Sequence, residues 1–168
     1  MPRGPLAHIC LLVHDLDEAV EHWSKILAQV DPGQLVEPIV RYDRFEAGED
    51  VMAWACFVNP DGCEIQLCQP LNDGPLGRRL AKVGEGVHHL CFTSPDLPGV
   101  VERLADTGVE LTSPELSQDP DMPWQWWTFV SPKSSHGPLI ELAYPYEAVA
   151  GKWQPAGGEA AASTPAKA

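Results

Sequence analysis

The sequence predicts an α+β fold made of two tandem βαβββ modules, and two repeated segments carry that prediction. FVNPDGCEIQLCQP at 57–70 is echoed by FVSPKSSHGPLIELAYP at 129–145. HICLLVHDLDEAV at 8–20 is echoed by HLCFTSPDLPGVV at 89–101, with every position shifted by 81 residues (89 minus 8). A repeat of about 80 residues is too long for a solenoid, so we interpret the copies as two halves of one duplicated domain.

The first module is predicted to place short strands around a single helix. Asp15 and Glu18 form a capping-box pattern at the start of this helix, and the turn residues from Asp31 onward end it. Apolar residues between these limits recur at helical spacing. Apolar and β-branched runs between turn signals predict the strands, which are expected at 8–13, 35–45, 51–58 and 64–68.

The second module repeats this order with a shorter helix. A strand is predicted from Val87, and the helix at 98–105 has Pro98 near its start, where the missing N–H costs little. A loop-like stretch at 110–121 then leads to an aromatic strand at 124–130 and to the final strand around Glu141.

These elements are expected to form a single domain at 1–148. Its modules would span about 5–72 and 86–146, joined by a linker at 73–85. A chain of 168 residues that is 44% hydrophobic can bury one such core. After Pro145 the sequence turns to Gly, Ala, Pro and Thr, so 149–168 is predicted to be a disordered tail.

Composition and charge restrict the partners. The net charge of −13 disfavours nucleic acid, because binding phosphates requires clustered Lys and Arg. No apolar run reaches the roughly 18 residues of a membrane span, and the N-terminus lacks the apolar core of a signal peptide. The 5 cysteines include no C-x-x-C pair and suit a reducing compartment. We therefore expect a cytoplasmic protein that binds a small molecule.

Each module opens with a histidine on one strand and closes with an amide or a carboxylate on another. These residues are His8 and Gln66 in the first module, and His89 and Glu141 in the second. If the modules pack about a pseudo-twofold axis, equivalent positions meet and the four side chains converge. Two imidazoles, one carboxylate and one amide oxygen suit Co²⁺, Mn²⁺, Ni²⁺, Zn²⁺ or Fe²⁺ with open positions. The repeat therefore predicts a divalent-metal site that polarises carbonyl groups.

Other ligand-type side chains are expected to have supporting roles. Cys10 and Cys91 share a strand face with the histidines and are interpreted as small buried fillers. The histidines without a repeat partner of their own type are predicted to lie at the surface or behind the metal ligands: His14, His22, His88 and His136. Trp54 and Trp126 occupy equivalent positions, and their indoles would form either core or a substrate wall.

At these residues the sequence resembles the vicinal oxygen chelate superfamily, which includes glyoxalase I, extradiol dioxygenases, fosfomycin and bleomycin resistance proteins and methylmalonyl-CoA epimerases. The resemblance runs from about Leu6 to Pro145 and is strongest to the epimerases. GEGVHHLCF resembles their Gly-rich entry to the second histidine, and FVSPKSSHGPLIEL resembles the loop before the last ligand. The resemblance implies a homodimer whose subunits form open barrels around a metal, with these ligands: His8, Gln66, His89 and Glu141.

The resemblance also implies 1,1-proton transfer at the α-carbon of an acyl-CoA, through an enolate that the metal stabilises. Two glutamates would exchange protons with the substrate: the metal ligand Glu141, and Glu49, which lies 17 residues (66 minus 49) before Gln66. The alternatives to Glu49 are Glu46, Asp50 and Glu64. The phosphates of coenzyme A would be contacted by Lys133, Arg78 and Arg79.

Two departures keep other functions open. The stretch 113–127 is richer in proline and tryptophan than the small, Gly-containing segment of an epimerase, which indicates a larger, more apolar acyl group or another substrate. A glyoxalase-like lyase or isomerase acting on a thiol adduct, or a non-catalytic ligand-binding protein, would also fit the metal site. An extradiol dioxygenase is disfavoured, because those sites use two histidines and one carboxylate and this chain supplies a fourth ligand.

Overall fold

The computed structural model describes residues 5–157, which form one eight-stranded sheet, a two-stranded hairpin and four α-helices. In chain order the strands are β1 (Leu6–Leu12), β2 (Val40–Ala47), β3 (Asp50–Phe57), β4 (Glu64–Pro70), β5 (Gly86–Thr93), β6 (Ser117–Gln118), β7 (Trp126–Val130), β8 (Leu139–Ala143), β9 (Tyr146–Val149) and β10 (Lys152–Pro155). The helices are α1 (Leu16–Val30), α2 (Pro75–Val83), α3 (Leu97–Asp106) and the short α4 (Pro132–Ser135), with a 3-10 turn at Pro32–Leu35.

The order of the strands shows the duplication directly. The large sheet runs β2-β3-β4-β1-β5-β8-β7-β6, so the two modules lie side by side as pseudo-equivalents. The first strands of the modules, β1 and β5, are antiparallel neighbours at the centre. Each of them pairs in parallel with the last strand of its own module, β4 or β8. The predicted α+β fold of two βαβββ modules is confirmed.

Helices α1 and α3 cover the same face of the sheet in the two modules. Asp15 caps α1 by accepting a backbone hydrogen bond at 2.9 Å, and Asp96 caps α3 in the same way at 3.2 Å. The buried apolar residues Leu16 and Leu27 of α1, and Leu97 of α3, pack against the strands beneath them. The opposite, concave face is left for a cavity. Within residues 5–157, no helix is both long and apolar enough to cross a lipid bilayer.

The C-terminal segment differs from its prediction. The sequence predicts disorder over 149–168, but β9 and β10 pair as an antiparallel hairpin. Trp153 of this hairpin contacts Trp54 and Tyr146, so aromatic packing holds a segment whose composition is otherwise polar and small. The boundary of the tail therefore has to be corrected, and we propose that the domain extends through β10. The part of the predicted tail at 158–168 lies outside the described residues.

Two connecting segments also contain regular structure. The predicted linker at 73–85 includes α2, whose first turn is capped by Asp50: the backbone N–H of Leu76 donates to Asp50 Oδ1 at 2.9 Å. The loop-like stretch at 110–121 includes β6, which pairs with β7 at the edge of the sheet. Both segments lie beside the concave face, so they add to the wall of the cavity.

Candidate active site

Two histidines meet at the centre of the sheet because β1 and β5 are antiparallel neighbours. His8 lies opposite Cys91 in this pairing, and Cys10 lies opposite His89. Residues two apart in a strand share a face, so both histidines project from the concave face. Their Nε2 atoms are 3.1 Å apart. The repeat in the sequence thus becomes a contact in space.

The neighbouring strand β8 adds a carboxylate to this pair. Glu141 lies in register with Cys91, and its Oε2 is 2.8 Å from His89 Nε2 and 3.4 Å from His8 Nε2. Two ligand atoms that each lie about 2.1 Å from a cation are about 3.0 Å apart at a right angle and about 3.4 Å apart at a tetrahedral angle. The three donor atoms therefore have the spacing expected around one divalent cation.

Gln66, the repeat counterpart of Glu141, lies on β4 in register with Cys10. It lines the same cavity as His8, His89 and Glu141, a space of about 860 Å³. The structure thus brings all four predicted metal ligands to one cavity. Two imidazoles, a carboxylate and an amide oxygen are a donor set that fits a divalent transition metal.

The histidine nitrogens that face away from the cluster have their own partners. His8 Nδ1 is 2.6 Å from Tyr146 Oη, and His89 Nδ1 is 2.9 Å from His88 Nδ1. A neutral imidazole that offers its Nε2 lone pair to a cation carries its proton on Nδ1, so His8 then donates to Tyr146 and His89 donates to His88. Of the two placements predicted for His88, the structure has the one behind a candidate metal ligand, His89.

The charge states of the cluster follow from burial and from neighbouring charges. Burial alone would raise the pKa of Glu141, but the charge of His89 and hydrogen bonds from His8 and His89 outweigh it and hold the pKa well below its ordinary value. Burial, with smaller effects from His89 and Arg79, lowers the pKa of His88 from 6.5 to about 3. At neutral pH Glu141 is therefore a carboxylate, and His88 is a neutral imidazole that can accept a hydrogen bond.

A cysteine sulfur also approaches the cluster. Donor atoms of His8, Cys91 and Glu141 all lie within 4.8 Å of one another. Cys91 is completely buried, and burial, followed by the charge of Glu141, raises the pKa of its thiol well above the ordinary value. Its burial fits the interpretation of Cys91 as a small filler.

The four candidates for a second acid or base occupy different environments. Glu46 and Asp50 line the cavity, but Glu46 pairs with Arg44 at 2.7 Å and Asp50 caps α2. Glu64 is fully buried and accepts a hydrogen bond from a thiol at 3.0 Å. Glu49 is exposed in the turn between β2 and β3 and is not part of the cavity wall. Within residues 5–157, its carboxylate makes no hydrogen bond or ion pair.

The three cations predicted to contact coenzyme A lie outside the cavity wall. Lys133 is exposed on α4, and Arg78 and Arg79 are exposed on α2. Arg78 donates to the backbone oxygen of Asp73 at 2.7 Å. The charge of Arg79 contributes to lowering the pKa of His88, which lies in the cavity wall. In the described part of the chain, no lysine or arginine lines the cavity. Any phosphate contact by these three residues would therefore be made beyond its mouth.

Aromatic and methionine side chains make up much of the remaining wall. They are Phe45, Met52, Trp54, Met122, Trp124, Trp127, Phe129, Tyr146 and Trp153. Trp54, predicted to be either core or substrate wall, is mostly buried and also lines the cavity. Trp126, its repeat equivalent, instead packs beneath α3 on the other face of the sheet.

Sequence reasoning missed Tyr146 and Trp153, the two residues by which the hairpin reaches the site. The turn of this hairpin is Ala150-Gly151, and both residues have positive φ, 51° and 75°. A two-residue hairpin turn requires such angles and is usually signalled by Asn-Gly or Asp-Gly. Alanine at the first turn position weakens that signal. The remaining indication of a hairpin in the sequence is Gly151, which lies between two short segments that contain aromatic residues.

Comparisons with known proteins identify the family of the chain. The family model described as the Glyoxalase/Bleomycin resistance protein/Dioxygenase superfamily matches residues 7–123. The ethylmalonyl-CoA/methylmalonyl-CoA epimerase of Cereibacter sphaeroides is 28% identical over 144 residues, which are 83% of this chain and 96% of the relative. The uncharacterized protein YqjC of Bacillus subtilis is 25% identical over 141 residues, 83% of this chain and 91% of the relative.

Solved structures of epimerases are similar over most of the chain. A variant of Streptomyces coelicolor methylmalonyl-CoA epimerase in complex with 2-nitronate-propionyl-CoA has a TM-score of 0.65 and 26% identity, and covers 87% of this chain and 99% of its own. Methylmalonyl-CoA epimerase from Mycobacterium tuberculosis has a TM-score of 0.65 and 25% identity, with 84% and 87% covered. The predicted resemblance is confirmed, and the chain belongs to the Glyoxalase/Bleomycin resistance protein/Dioxygenase superfamily.

Proposed function

We propose that this protein is a metal-dependent epimerase or isomerase that exchanges the α-proton of an acyl-CoA between the two faces of the α-carbon. The observation that carries the proposal is the convergence of His8 Nε2, His89 Nε2 and Glu141 Oε2 within 2.8–3.4 Å at the cavity. Similarity to methylmalonyl-CoA epimerases over most of the chain supports the reaction and the substrate class.

In this proposal one divalent cation, Co²⁺, Mn²⁺, Ni²⁺, Zn²⁺ or Fe²⁺, is held by four ligands: His8, Gln66, His89 and Glu141. When bound, such a cation supplies Lewis acidity that polarises substrate oxygens next to the α-carbon. The protein contributes preorganisation. Tyr146 and His88 hold the two imidazole rings so that their Nε2 atoms face the same point, which lowers the cost of assembling the site.

Proton transfer on two faces of a carbon requires two groups. Glu141 serves one face: both histidines contact its Oε2, so Oε1 is the oxygen proposed to take the proton. Glu49 serves the other face. Both of its chain neighbours, Gly48 and Asp50, line the cavity, and its own carboxylate is not engaged elsewhere within residues 5–157.

Each turnover moves one proton from the α-carbon to one glutamate and one proton from the other glutamate to the opposite face. The substrate therefore keeps its composition and changes only its configuration. Outside the cavity, we propose that phosphates of coenzyme A contact Lys133, Arg78 and Arg79, which are exposed and therefore available to a charged ligand. We further propose a homodimer that works in the cytoplasm, and the free cysteines of the chain suit a reducing compartment.

The test is α-proton exchange in D₂O. The metal-loaded protein is incubated with (S)-methylmalonyl-CoA, and the α-proton signal and the configuration are followed by NMR. We expect both exchange and inversion. Glu49→Gln removes one acid–base group at nearly constant shape, so inversion should fall by roughly 10²–10⁴-fold while metal content is unchanged. Glu46→Gln is the matched control, since Glu46 lies nearby at the end of β2 but is paired with Arg44.

Two results would count against this proposal in different ways. Full inversion by Glu49→Gln would remove Glu49 from the mechanism and leave the epimerase assignment standing. No exchange by the metal-loaded wild-type protein, with any of the five metals and with methylmalonyl-CoA or larger α-substituted malonyl-CoA esters, would overturn the assignment.

A glyoxalase-like lyase or isomerase is the second candidate. It is favoured by the family model that matches the chain, whose description names glyoxalase. Turnover of the adduct of methylglyoxal and glutathione by the metal-loaded protein would support this candidate. Tight binding of a substrate without turnover would instead indicate a ligand-binding protein.

A further inference from the structure

We infer that the substrate of this site carries a bulky, uncharged, ring-sized group on its α-carbon, in place of the methyl group of methylmalonyl-CoA. The inference rests on the proposed function and names the substrate class of the same site. Three features support it: the rings that adjoin the metal-ligating histidines, the way these rings lock together, and the charges of the cavity wall.

The aromatic wall begins at the candidate metal ligands themselves. The Phe129 ring meets the His89 ring edge-on, with centroids 5.6 Å apart and an interplanar angle of 74°. On the other side, the Tyr146 ring lies 6.1 Å from the His8 ring. A substrate whose oxygens are held at the histidines would therefore place its α-substituent among aromatic rings, because the α-carbon is one bond from the carbons that bear those oxygens.

The rings of this wall are fixed by one another. Trp54 stacks on Tyr42 with centroids 4.5 Å apart and on Trp153 with centroids 6.4 Å apart. Trp153 then meets Tyr146 edge-on at 4.5 Å. Rings that hold one another in this way form a preformed surface, which favours a flat apolar group in edge-on or offset contact over a small one. The cavity of about 860 Å³ has room for such a group.

The charges of the wall disfavour an ionic substituent. No lysine or arginine of the described chain lines the cavity, so an anionic group would lack a partner. The acidic residues of the wall outside the candidate metal cluster each have a partner already, which makes them less available to a cation. Glu46 pairs with Arg44, the Asp50 carboxylate accepts a backbone N–H at 2.9 Å, and Asp119 Oδ1 accepts two backbone N–H groups at 2.8 Å. An uncharged group is the one that fits.

The test compares two substrates that differ only at the α-carbon. The metal-loaded wild-type protein is given methylmalonyl-CoA or benzylmalonyl-CoA in D₂O, and kcat/KM for α-proton exchange is measured by NMR. One methylene in an apolar pocket changes kcat/KM by about tenfold or more, so we expect the benzyl ester to be preferred by at least about tenfold.

Two adjacent tryptophans provide a matched pair of variants. Trp127 lines the cavity, whereas Trp126 packs beneath α3 on the opposite face. Trp127→Leu should lower the benzyl-to-methyl ratio by about tenfold, and Trp126→Leu should leave the ratio unchanged. Near-ultraviolet circular dichroism shows whether each variant is folded. If Trp127→Leu does not fold, the ratio of the wild-type protein alone decides the question.

The outcomes separate this inference from the proposed function. Exchange of methylmalonyl-CoA at least as fast as exchange of benzylmalonyl-CoA would overturn the inference and leave the epimerase assignment intact. Equal benzyl-to-methyl ratios in the Trp126 and Trp127 variants would show that the aromatic wall does not discriminate between substituents. This result would also overturn the inference. Exchange of neither ester by metal-loaded protein would overturn the proposed function and the inference with it.

Discussion

Replacing Tyr146 by phenylalanine tests whether the hairpin supports the candidate metal site. The change removes only the hydroxyl oxygen, which lies 2.6 Å from His8 Nδ1, and keeps the ring that packs on Trp153. Loss of a partner that orients a metal-ligating histidine typically weakens metal binding about 10–100-fold, or about 1.4–2.8 kcal/mol. Loss of one buried hydrogen bond should lower the free energy of unfolding of the metal-free protein by about 1 kcal/mol, or about 2–4 °C in Tm.

The assay for Tyr146→Phe is titration of the metal-free protein with Co²⁺, followed by calorimetry and by the visible d–d bands of the bound ion. A shift of these bands would show that the geometry at His8 has changed, which a loss of stability alone would not produce. Tyr144→Phe is the matched control, because Tyr144 is buried beneath α3 in another cluster. An unchanged Co²⁺ affinity and spectrum in Tyr146→Phe would refute the orienting role of the hydroxyl.

Three other substitutions probe the cluster. Glu141→Gln should weaken metal binding by more than about 100-fold, because it removes the one anionic ligand. Gln66→Glu, which gives the first module the acid of the second, should bind metal more tightly. Metal content after dialysis measures both effects, and equal metal content in the two variants and the wild-type protein would contradict the ligand assignment. The folded-state pKa of His88 is about 3, below the ordinary 6.5, so its contribution to stability is complete above pH 6.5 and is lost as the pH falls towards 3, by up to about 1.4 kcal/mol per pH unit. The free energy of unfolding of the metal-free protein is measured with urea between about pH 7 and about pH 4. His88→Asn should reduce the dependence of this free energy on pH. An unchanged dependence would assign the acid sensitivity to other groups.

The predicted fold and metal ligands follow from one physical fact, which is that equivalent positions of a duplicated unit meet across a pseudo-twofold axis. The contact between His8 and His89 could be predicted from their shared offset in the repeat alone, because the equivalent strands β1 and β5 are antiparallel neighbours. The partners behind them could not be found in this way. Tyr146 follows β8, the last strand that the repeat predicts, so it has no equivalent in the first module. His88 and His89 are adjacent residues of one strand, which alternation alone would place on opposite faces, yet their side chains are in contact.

The acids in and beside the β2–β3 turn could not be told apart from the sequence. Glu46, Glu49 and Asp50 are equivalent in composition, and only tertiary contacts distinguish them: an arginine neighbour for Glu46, a helix end for Asp50 and solvent for Glu49. The same limit applied to the tail at 149–168. Its polar, small residues predicted disorder, but Trp153 reaches rings that are distant in sequence, and that packing holds the hairpin.

The asymmetry of the cluster indicates how a pseudo-symmetric scaffold could treat the two faces of a substrate differently. Two identical modules would offer equal ligands, but the chain has an amide at position 66 and a carboxylate at position 141. Only the carboxylate can take and return a proton, so one face of a substrate at the axis would be served from the cluster itself. The other face must be served by a group outside the repeat, which is why the second acid or base has to be sought in a loop such as the turn that carries Glu49. A single anionic ligand also leaves a bound cation more strongly Lewis acidic than two would, since less of its charge is neutralised by the protein.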